Sequence, residues 1–323
     1  MTKDLSIVIP VYNEEESIPE LLEWILRVIG QHKIETEVIL IDDGSSDNSW
    51  DVIQDQATKN SCVVGIKFVR NNGKSAAIQT GFDRSDGEVV ITMDADMQDS
   101  PDEIPELIRM VEEEGFDIVS GWKKKRHDPV SKTVPSLFFN WVTSKVSGIK
   151  LHDFNCGLKA YRREVVKNIN VYGEMHRYIP LIAKWSGYRK IGEKVVEHRA
   201  RKYGTTKYGM KRFLTGFLDL LSVTFVSRFR KNPMHFFGTI GLLSFLAGFS
   251  ITIWVIGEKL YRQFNNLPRR DVVDQPLFFL ALVALIIGVQ LFLAGFLAEM
   301  IIQLRSKKDE YLISESTKED QSG

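Results

Sequence analysis

Five short runs of apolar, mostly β-branched residues alternate with helix-forming stretches over the first 121 residues, and this alternation leaves few possible folds. The runs cover residues 5–11, 37–41, 63–69, 88–93 and 117–120. The stretches between them cover residues 16–30, 46–59, 74–84 and 102–114. Strand–helix–strand units of this kind pair their strands in parallel and place helices on both faces of the sheet. The sequence therefore predicts an α/β domain with a mostly parallel, Rossmann-like sheet.

Two later stretches have the composition of membrane-spanning helices. Residues 236–256 and 277–297 each contain no charged side chain. At 1.5 Å per residue, a helix of about 21 residues is roughly 30 Å long, which matches the hydrocarbon core of a bilayer. A pair of buried helices in a soluble protein is the alternative, but such helices are usually shorter and carry a polar stripe. We therefore predict two transmembrane helices within residues 233–305.

The remaining C-terminal segments differ from both of these parts. Residues 207–232 mix aromatic and aliphatic side chains with lysines and arginines at helical spacing. That pattern is typical of a helix lying in a membrane interface, and a packed connector helix is the alternative. The predicted organisation is a catalytic domain over 1–206, this amphipathic region, the two spans and a polar tail over 306–323.

Composition excludes some partners and suggests a location. Lys plus Arg and Asp plus Glu both number 42, so no net charge argues for a nucleic-acid partner. The two cysteines, Cys62 and Cys156, fit no zinc or disulfide pattern. The apolar run 5–11 is interrupted by Pro10 and followed by acidic residues, unlike a signal peptide. We therefore expect the catalytic domain to lie in the cytoplasm.

A pair of carboxylates follows the fourth apolar run. Asp94 and Asp96 are one residue apart, and Gln98 comes next in the same pattern. Open α/β sheets bind ligands at the carboxyl ends of their strands, and hard oxygen donors suit Mg²⁺ or Mn²⁺. The same segment could instead begin a helix, with Asp99 or Ser100 as the N-cap before proline. Both interpretations can hold together.

Other strand ends supply residues suited to a nucleotide. Tyr12 follows the first run and could stack on a base, while Asp42 follows the second and could accept hydrogen bonds from a base or ribose. Two other phosphate motifs are missing. The sequence Gly73-Lys74-Ser75 imitates the end of a P-loop, but residue 68 is Phe where that motif needs Gly. No dinucleotide-type glycine fingerprint follows the first run.

Several motifs together resemble those of family-2 glycosyltransferases with the GT-A fold, in the branch that acts on polyprenyl phosphates. The matching segments in the first domain are Pro10-Val11-Tyr12-Asn13-Glu14, Asp42-Asp43-Gly44-Ser45, Asn72-Gly73-Lys74-x-x-Ala77-x-x-x-Gly81 and Asp94-Ala95-Asp96-Met97-Gln98. Further on, the matching segments are 153–161, 176–180 and His198-x-x-Arg201-x-x-Gly204-x-x-Lys207-Tyr208. The resemblance covers roughly residues 4–210, and the paired spans resemble those of bacterial members of this branch.

This resemblance implies a role for each matching residue. The residues matched to the nucleotide-sugar donor site are Pro10, Tyr12, Glu14, Asp42, Lys74 and Asp94. The residues matched to the Mg²⁺ or Mn²⁺ site are Asp94, Asp96 and Gln98. Arg201 and Lys207 match cations that grip phosphates, and Asp153 matches the family's base position. Because a phosphate acceptor needs no strong base, we assign Asp153 to orientation. Arg126, in a basic run that begins at Lys123, is our choice for the acceptor phosphate.

The leading hypothesis is an inverting, membrane-bound transferase that moves a sugar from a nucleotide-sugar to undecaprenyl or dolichyl phosphate on the cytoplasmic leaflet. UDP-glucose is the first choice of donor and GDP-mannose the second, and a bacterial inner membrane is the expected location. The alternatives are a processive polysaccharide synthase and a non-catalytic GT-A membrane protein. Glycines at 238, 241 and 248 could also permit a homo-oligomer in the membrane.

Overall fold

The computed structural model describes residues 3–124, 140, 143–145, 147–173, 175–199, 233–268 and 271–304. The chain divides into two compact units, with the boundary between Val223 and Thr224. The first unit contains the sheet and the second contains two long apolar helices. The predicted boundary at 206/207, the predicted amphipathic region 207–232 and the tail 306–323 lie outside the described residues.

The first unit is built on a seven-stranded sheet. Its strands are β1 Leu5–Val11, β2 Thr36–Asp42, β3 Val63–Lys67, β4 Val89–Thr92, β5 Ile118–Trp122, β6 Lys159–Arg162 and β7 Ile191–Val195. Their order across the sheet is β3-β2-β1-β4-β6-β5-β7. Strand β6 runs antiparallel to both of its neighbours, β4 and β5, while the other neighbouring pairs are parallel. The prediction of a mostly parallel sheet is confirmed.

Helices connect the strands as the alternation predicted. They are α1 Ile18–His32, α2 Ser49–Lys59, α3 Lys74–Arg84, α4 Ile104–Glu112, α5 Arg163–Asn168 and α6 Ile179–Trp185, with 3₁₀ turns at Pro101–Glu103 and Met175–Tyr178. Proline stands at the first turn of α1, α4 and α6, where its missing N–H leaves no helical bond unmade. The Asp99 carboxylate does not cap the turn at 101, which begins after Ser100 with no side-chain cap bond.

Helices cover both faces of the sheet, and alternate residues of each central strand serve the two faces. In β1, Ile7 packs with α1 and α4 on one face, whereas Val8 packs with α3 on the other. Both side chains are fully buried. Burial on two faces explains why these strands are continuous apolar runs in the sequence instead of alternating ones. Gly81 of α3 permits this contact, because a Cβ there would lie 2.2 Å from a methyl carbon of Val8.

The second unit is a pair of long helices, α7 Pro233–Phe264 and α8 Pro276–Leu304. Both are long and apolar enough to cross a membrane. They run antiparallel, since Gly241 meets Gly288 whereas Gly248, further along α7, meets Ala281, which precedes Gly288 in α8. A Cβ at Gly241 would lie 2.7 Å from the Gly288 carbonyl oxygen. Two of the glycines predicted to mediate oligomer contacts therefore pack the two helices of one chain together.

Candidate active site

The carboxyl ends of β1, β2 and β4 meet at one edge of the sheet and carry the predicted donor residues. Val11 pairs with Asp42 across the first two strands. Asp42 is fully buried, and its Oδ1 accepts a hydrogen bond from the Ser45 backbone N–H at 2.9 Å. Its Oδ2 is also buried and has no hydrogen-bond partner among the described residues. A buried carboxylate oxygen that lacks a partner is costly, so this atom is suited to a ligand's N–H or O–H group.

The neighbouring carboxylate, Asp43, has a different task. Its two oxygens accept hydrogen bonds from the backbone N–H groups of Asn72 and Gly73, at 2.7 and 3.0 Å. Gly73 has a φ of +91°, which favours glycine. Asp43 thus holds the loop that leads into α3 and places Lys74 at the start of that helix. Asp43 is part of a family-like motif, but the sequence does not predict its hydrogen bonds to the backbone of Asn72 and Gly73.

The segment after β1 is fixed by the loop after β2. The backbone N–H of Asn13 donates to the Ser45 hydroxyl, and the backbone N–H of Glu14 donates to the Ser49 hydroxyl, both at 2.9 Å. Asn13 adopts a left-handed conformation with a φ of 53°. Tyr12 is 39% exposed. Tyr12 directly follows Val11, which pairs with Asp42, so the structure brings these two predicted donor residues to the same edge of the sheet.

Lys74 and Asp94 form an ion pair at the centre of the site. The Lys74 Nζ lies 2.5 Å from the Asp94 Oδ1. Burial alone would raise the pKa of Asp94, but the charge of Lys74, followed by Lys123 and Lys159, lowers that pKa to about 2. Asp94 is therefore a carboxylate at any physiological pH. The sequence resemblance placed both residues in the donor site but did not indicate that they contact each other.

Asp96 and Gln98 lie in a tight turn after β4. The Gln98 backbone N–H donates to the Asp96 Oδ1 at 3.2 Å, and Met97 between them has a φ of 62°. A non-glycine residue in this region is strained, and such strain persists where surrounding packing imposes it. Here the Met97 side chain is buried in the core. The turn therefore holds Asp96 in one place beside Asp94.

The described residues fit a divalent ion that completes its coordination from a ligand. No group of three or more His, Cys, Asp or Glu side chains is gathered for a metal among the residues that the structure describes. Mg²⁺ commonly binds one or two carboxylates together with substrate phosphates and water, so Asp94 and Asp96 are sufficient. Since Lys74 already contacts one oxygen of Asp94, the metal would share this carboxylate with an ammonium group.

Gly157 faces the Asp94 carboxylate from the segment before β6. A Cβ at this position would lie 2.4 to 2.7 Å from three atoms of that carboxyl group. No other residue type could therefore leave Asp94 where it is. The same segment is bonded to β4, because the Thr92 hydroxyl donates to the Gly157 carbonyl at 2.9 Å. Gly157 lies in the family-like segment 153–161. Because residue 94 is far from it in the chain, the sequence does not predict this contact.

A buried ion pair joins the turn after β4 to the end of β5. The Lys123 Nζ lies 2.7 Å from the Asp99 Oδ1, with side-chain exposures of 13% and 0%. Burial alone would lower the pKa of Lys123, but Asp99 raises it, so this ammonium stays charged. Lys123 begins the basic run from which we expected an acceptor-binding cation. In the structure, Lys123 instead forms its ion pair with Asp99. Lys124 lies over the Trp122 ring, 5.6 Å from its centroid.

The segment after β7 also joins this turn. Asp99 and His198 form an isolated antiparallel β-bridge, and the Arg199 backbone N–H donates to the Gln98 carbonyl at 3.0 Å. His198 therefore joins the segment after β7 to the turn after β4. The chain then continues towards Arg201 and Lys207, which lie outside the described residues, as does Arg126. Their predicted phosphate-binding roles remain predictions.

Asp153 is buried and clamped from two sides. The Glu193 carboxylate on β7 accepts from the backbone N–H groups of His152 and Asp153, at 2.8 and 3.1 Å. From the other side, the Asn140 side chain bonds the His152 carbonyl and the Phe154 N–H. The Asp153 Oδ1 accepts from the Asn155 N–H at 3.0 Å. These hydrogen bonds hold Asp153 firmly in place. Burial lowers the pKa of Lys159, and the negative charge of Asp153 partly offsets that lowering.

The model of the family "Glycosyl transferase family 2" matches residues 6–169. The chain belongs to glycosyl transferase family 2.

Two curated relatives extend the similarity over most of the chain. Dodecaprenyl-phosphate galacturonate synthase from Rhizobium johnstonii is 36% identical, covering 95% of this chain and 90% of the relative. Undecaprenyl-phosphate 4-deoxy-4-formamido-L-arabinose transferase from Proteus mirabilis is 35% identical, covering 92% of this chain and 88% of the relative. Both are named as enzymes that place a sugar on a polyprenyl phosphate. The predicted family and branch are confirmed, and this family-2 chain is a glycosyltransferase.

Solved structures confirm the fold. Glucosyl-3-phosphoglycerate synthase from Mycobacterium tuberculosis, crystallised with Mn²⁺, uridine diphosphate and glucosyl-3-phosphoglycerate, superposes with a TM-score of 0.53. The match covers 70% of this chain and 80% of that one at 18% sequence identity. At this level of identity the comparison supports the GT-A-like architecture of the first unit.

Proposed function

We propose that this glycosyltransferase moves a sugar from a nucleotide-sugar to polyprenyl phosphate at a membrane surface, with inversion at the anomeric carbon. The observation that carries the proposal is the meeting of a buried, unpartnered Asp42 oxygen with the Asp94–Asp96 turn at one sheet edge. One residue can receive a nucleoside and the other two a metal-bound diphosphate. The relatives' names and the two apolar helices support a lipid acceptor.

The chemistry of the acceptor explains what the site must do. A phosphate monoester has a second pKa near 6, so it is largely dianionic at neutral pH and needs no strong general base. Asp153, buried and clamped, serves to orient groups and does not need to take a proton. A divalent ion, when bound, would neutralise the charge that develops on the leaving nucleoside diphosphate. The carboxylates of Asp94 and Asp96 are suited to hold this cation, and the ammonium group of Lys74 is suited to offset phosphate charge beside it.

The donor sugar is part of the proposal. UDP-glucose was the first choice from the sequence and GDP-mannose the second, whereas the two relatives are named for galacturonate and formamido-arabinose. The decisive assay therefore uses the purified full chain, undecaprenyl phosphate and Mg²⁺ or Mn²⁺. The donors are the nucleotide-activated forms of these four sugars: glucose, mannose, galacturonate and formamido-arabinose. We expect one donor to label the lipid. Labelling of a soluble sugar with no labelled lipid would overturn the proposal.

The same assay tests the metal-binding turn. Asp96→Ala should lower the rate of transfer by about a hundredfold or more, the size of loss seen when one charge-stabilising group is removed. Asp55→Ala is the matched control, because Asp55 lies on the surface of α2 in an exposed pair with Lys59. Unchanged transfer by the Asp96 variant would rule out a metal-assisted mechanism at this site.

The two alternatives receive less support. A processive polysaccharide synthase would need a Gln-x-x-Arg-Trp motif, which the sequence does not contain, and more spans than the two apolar helices that the described residues provide. A non-catalytic protein would not need the Lys74–Asp94 pair or the buried, unpartnered Asp42 oxygen.

A further inference from the structure

A small cavity lies beneath the Asp94 carboxylate, between the central strands and the 3₁₀ turn Met175–Tyr178. Its charged and polar lining includes Lys74, Asp94, Asn155, Lys159, His176 and Arg177. The cavity has a volume of about 20 Å³, which is room for about one water molecule. A group larger than water can therefore bind only at its mouth. His176 and Arg177 belong to the family-like motif, but the predicted site included neither of them.

Positive charge exceeds negative charge around this cavity. Lys74 is paired with Asp94, and Lys159, only 3% exposed, donates from its Nζ to the Cys156 carbonyl. Burial, followed by the charges of Lys74 and Arg177, lowers the pKa of His176 well below its usual value, so this ring is neutral. Burial lowers the pKa of Lys159, so the described lining residues are counted as two cations, Lys74 and Arg177, against the carboxylate of Asp94.

Among the residues that the structure describes, Arg177 lines this cavity without a counter-charge. It is half-buried, and within the described ranges it has neither an acidic partner nor a side-chain hydrogen bond. A guanidinium group removed from water without a partner costs free energy. Its planar N–H groups match a carboxylate or a phosphate, with which they form paired hydrogen bonds. A bound anion would therefore compensate for the burial of Arg177.

The surrounding residues hold Arg177 in place. The Ser75 Oγ lies 3.1 Å from the His176 Nδ1 and also accepts the His176 backbone N–H at 3.1 Å. Met175 and Tyr178, on either side, are buried in the core. Ser75 directly follows Lys74 at the start of α3, so one helix end positions both cations. The turn is thus preorganised to present a guanidinium beside the Asp94 carboxylate.

We propose that Arg177 binds an anionic oxygen group of a substrate at the mouth of this cavity. This inference rests on the proposed function for the nature of the substrates. The shared chemistry is a phosphate or a carboxylate, and three sources are available: the donor diphosphate, the polyprenyl phosphate, or the carboxylate of a hexuronic acid carried by the donor. Arg177 would add to the cations expected after β5 and β7.

Binding measurements on the full chain test this proposal without requiring turnover. The affinities for UDP, UDP-glucose and UDP-galacturonate are measured by calorimetry with Mn²⁺ present, and undecaprenyl phosphate binding is measured by its effect on the melting temperature. The variants are Arg177→Gln and the charge-conserving Arg177→Lys. Arg189→Gln is the control, because Arg189 is exposed before β7 and does not line the cavity.

We expect Arg177→Gln to weaken at least one ligand by tenfold or more, with partial recovery in Arg177→Lys and no change in the control. Weaker UDP binding assigns the diphosphate, a loss confined to UDP-galacturonate assigns the sugar carboxylate, and a loss confined to undecaprenyl phosphate assigns the acceptor. The melting temperature without ligand should stay equal or rise, because an unpaired buried charge is removed.

Two results would overturn the inference. One is that Arg177→Gln binds UDP, UDP-glucose and UDP-galacturonate with affinities within twofold of those of Arg189→Gln, and that undecaprenyl phosphate shifts the melting temperature of both variants equally. The other is a parallel loss of every ligand together with a lower melting temperature, which would mean that Arg177 only supports the fold. If the variants behave as expected while no sugar reaches the lipid, the proposed function fails and the anion site remains.

Discussion

Single residues in this site act through contacts that no local sequence pattern reveals. Gly157 is the clearest case, because its role is to leave room for Asp94, a residue 63 positions earlier in the chain. Asp43 is another case, because it holds the backbone of the loop before α3, whereas its neighbour Asp42 belongs to the predicted donor site. Each of these roles becomes visible only when two distant segments are placed side by side.

Gly157→Ala should weaken metal-dependent nucleotide binding. The added Cβ would lie within 2.7 Å of the Asp94 carboxyl group, so that side chain must move. We expect a tenfold or greater loss in the affinity for UDP in the presence of Mn²⁺, measured by calorimetry. Gly30→Ala is the control, since a Cβ at Gly30 would have no atom within 4 Å. Equal affinities for the two variants would contradict the assigned contact.

Glu37 predicts how stability depends on pH. Burial alone would raise its pKa, but hydrogen bonds from the Ser6 hydroxyl and the Asp86 backbone N–H, together with Lys3, lower it. A lowered pKa means that the stabilisation is present above the ordinary value of 4.5 and is lost as the pH falls through the lowered value. Melting temperatures should therefore fall more steeply in acid for the wild-type protein than for Glu37→Gln.

A suitable control for this measurement is Glu35→Gln, because Glu35 is exposed and only two positions away. Its acid-induced loss of stability should match that of the wild-type protein. If Glu37→Gln shows the same steep fall as Glu35→Gln, the titration of another group controls the acid transition.

At the scale of secondary-structure elements, three segments meet around Asp99. The turn after β4 carries the predicted metal ligands, the end of β5 supplies Lys123, and the segment after β7 supplies His198. The chain then leaves this junction towards the predicted phosphate-binding residues at 201 and 207. The Asp99–Lys123 pair thus supports the geometry of the site without being placed to react.

Removal of one partner should cost more than removal of both. Lys123→Met leaves the Asp99 charge buried and uncompensated, and breaking a buried pair in this way typically costs about 3–5 kcal/mol. The double variant Asp99→Asn with Lys123→Met removes both charges and should recover a large part of that loss. Chemical denaturation in detergent of the wild-type protein, the single variants Asp99→Asn and Lys123→Met, and the double variant measures the coupling. Additive losses in the double variant would mean that the two side chains do not interact.

At the scale of the whole molecule, one unit carries the chemistry and the other is suited to a membrane. The two long helices run antiparallel, so the segments before and after the pair emerge on the same side of any membrane that the pair spans. The short connection over residues 265–275 would then lie on the opposite side. Because we expect the catalytic domain in the cytoplasm, we predict that this connection faces the opposite side of the membrane.

Cysteine labelling in intact cells tests this orientation. Asp271→Cys places a thiol in the exposed connection between the helices, whereas Asp55→Cys places one on the surface of α2. We expect a membrane-impermeant maleimide to label position 271 in intact bacterial spheroplasts and position 55 only after the membrane is opened. Labelling of both positions in intact spheroplasts, or of position 55 alone, would contradict a cytoplasmic catalytic unit.

The elements of the first unit could be predicted from the sequence because their signals are local. Continuous β-branched apolar runs and helix-starting prolines act within a few residues, so β1–β5 and α1–α4 were expected close to their observed bounds. The antiparallel β6 between β4 and β5 was not predicted. Its four residues carry no pattern of their own, and its place in the sheet depends on pairing with two distant strands.

The sequence by itself determined the fold class, the family, the two apolar helices and the acidic residues at the strand ends. Each of these depends on residue type and spacing along the chain. Only the tertiary structure decided that Lys74 pairs with Asp94, that Lys123 pairs with Asp99, and that Gly241 and Gly248 pack one chain's own helices. It also decided that Arg177 has no counter-charge among the described parts of the chain. Contacts of this kind join segments far apart in the chain, and charge balance and close packing are properties of a folded volume.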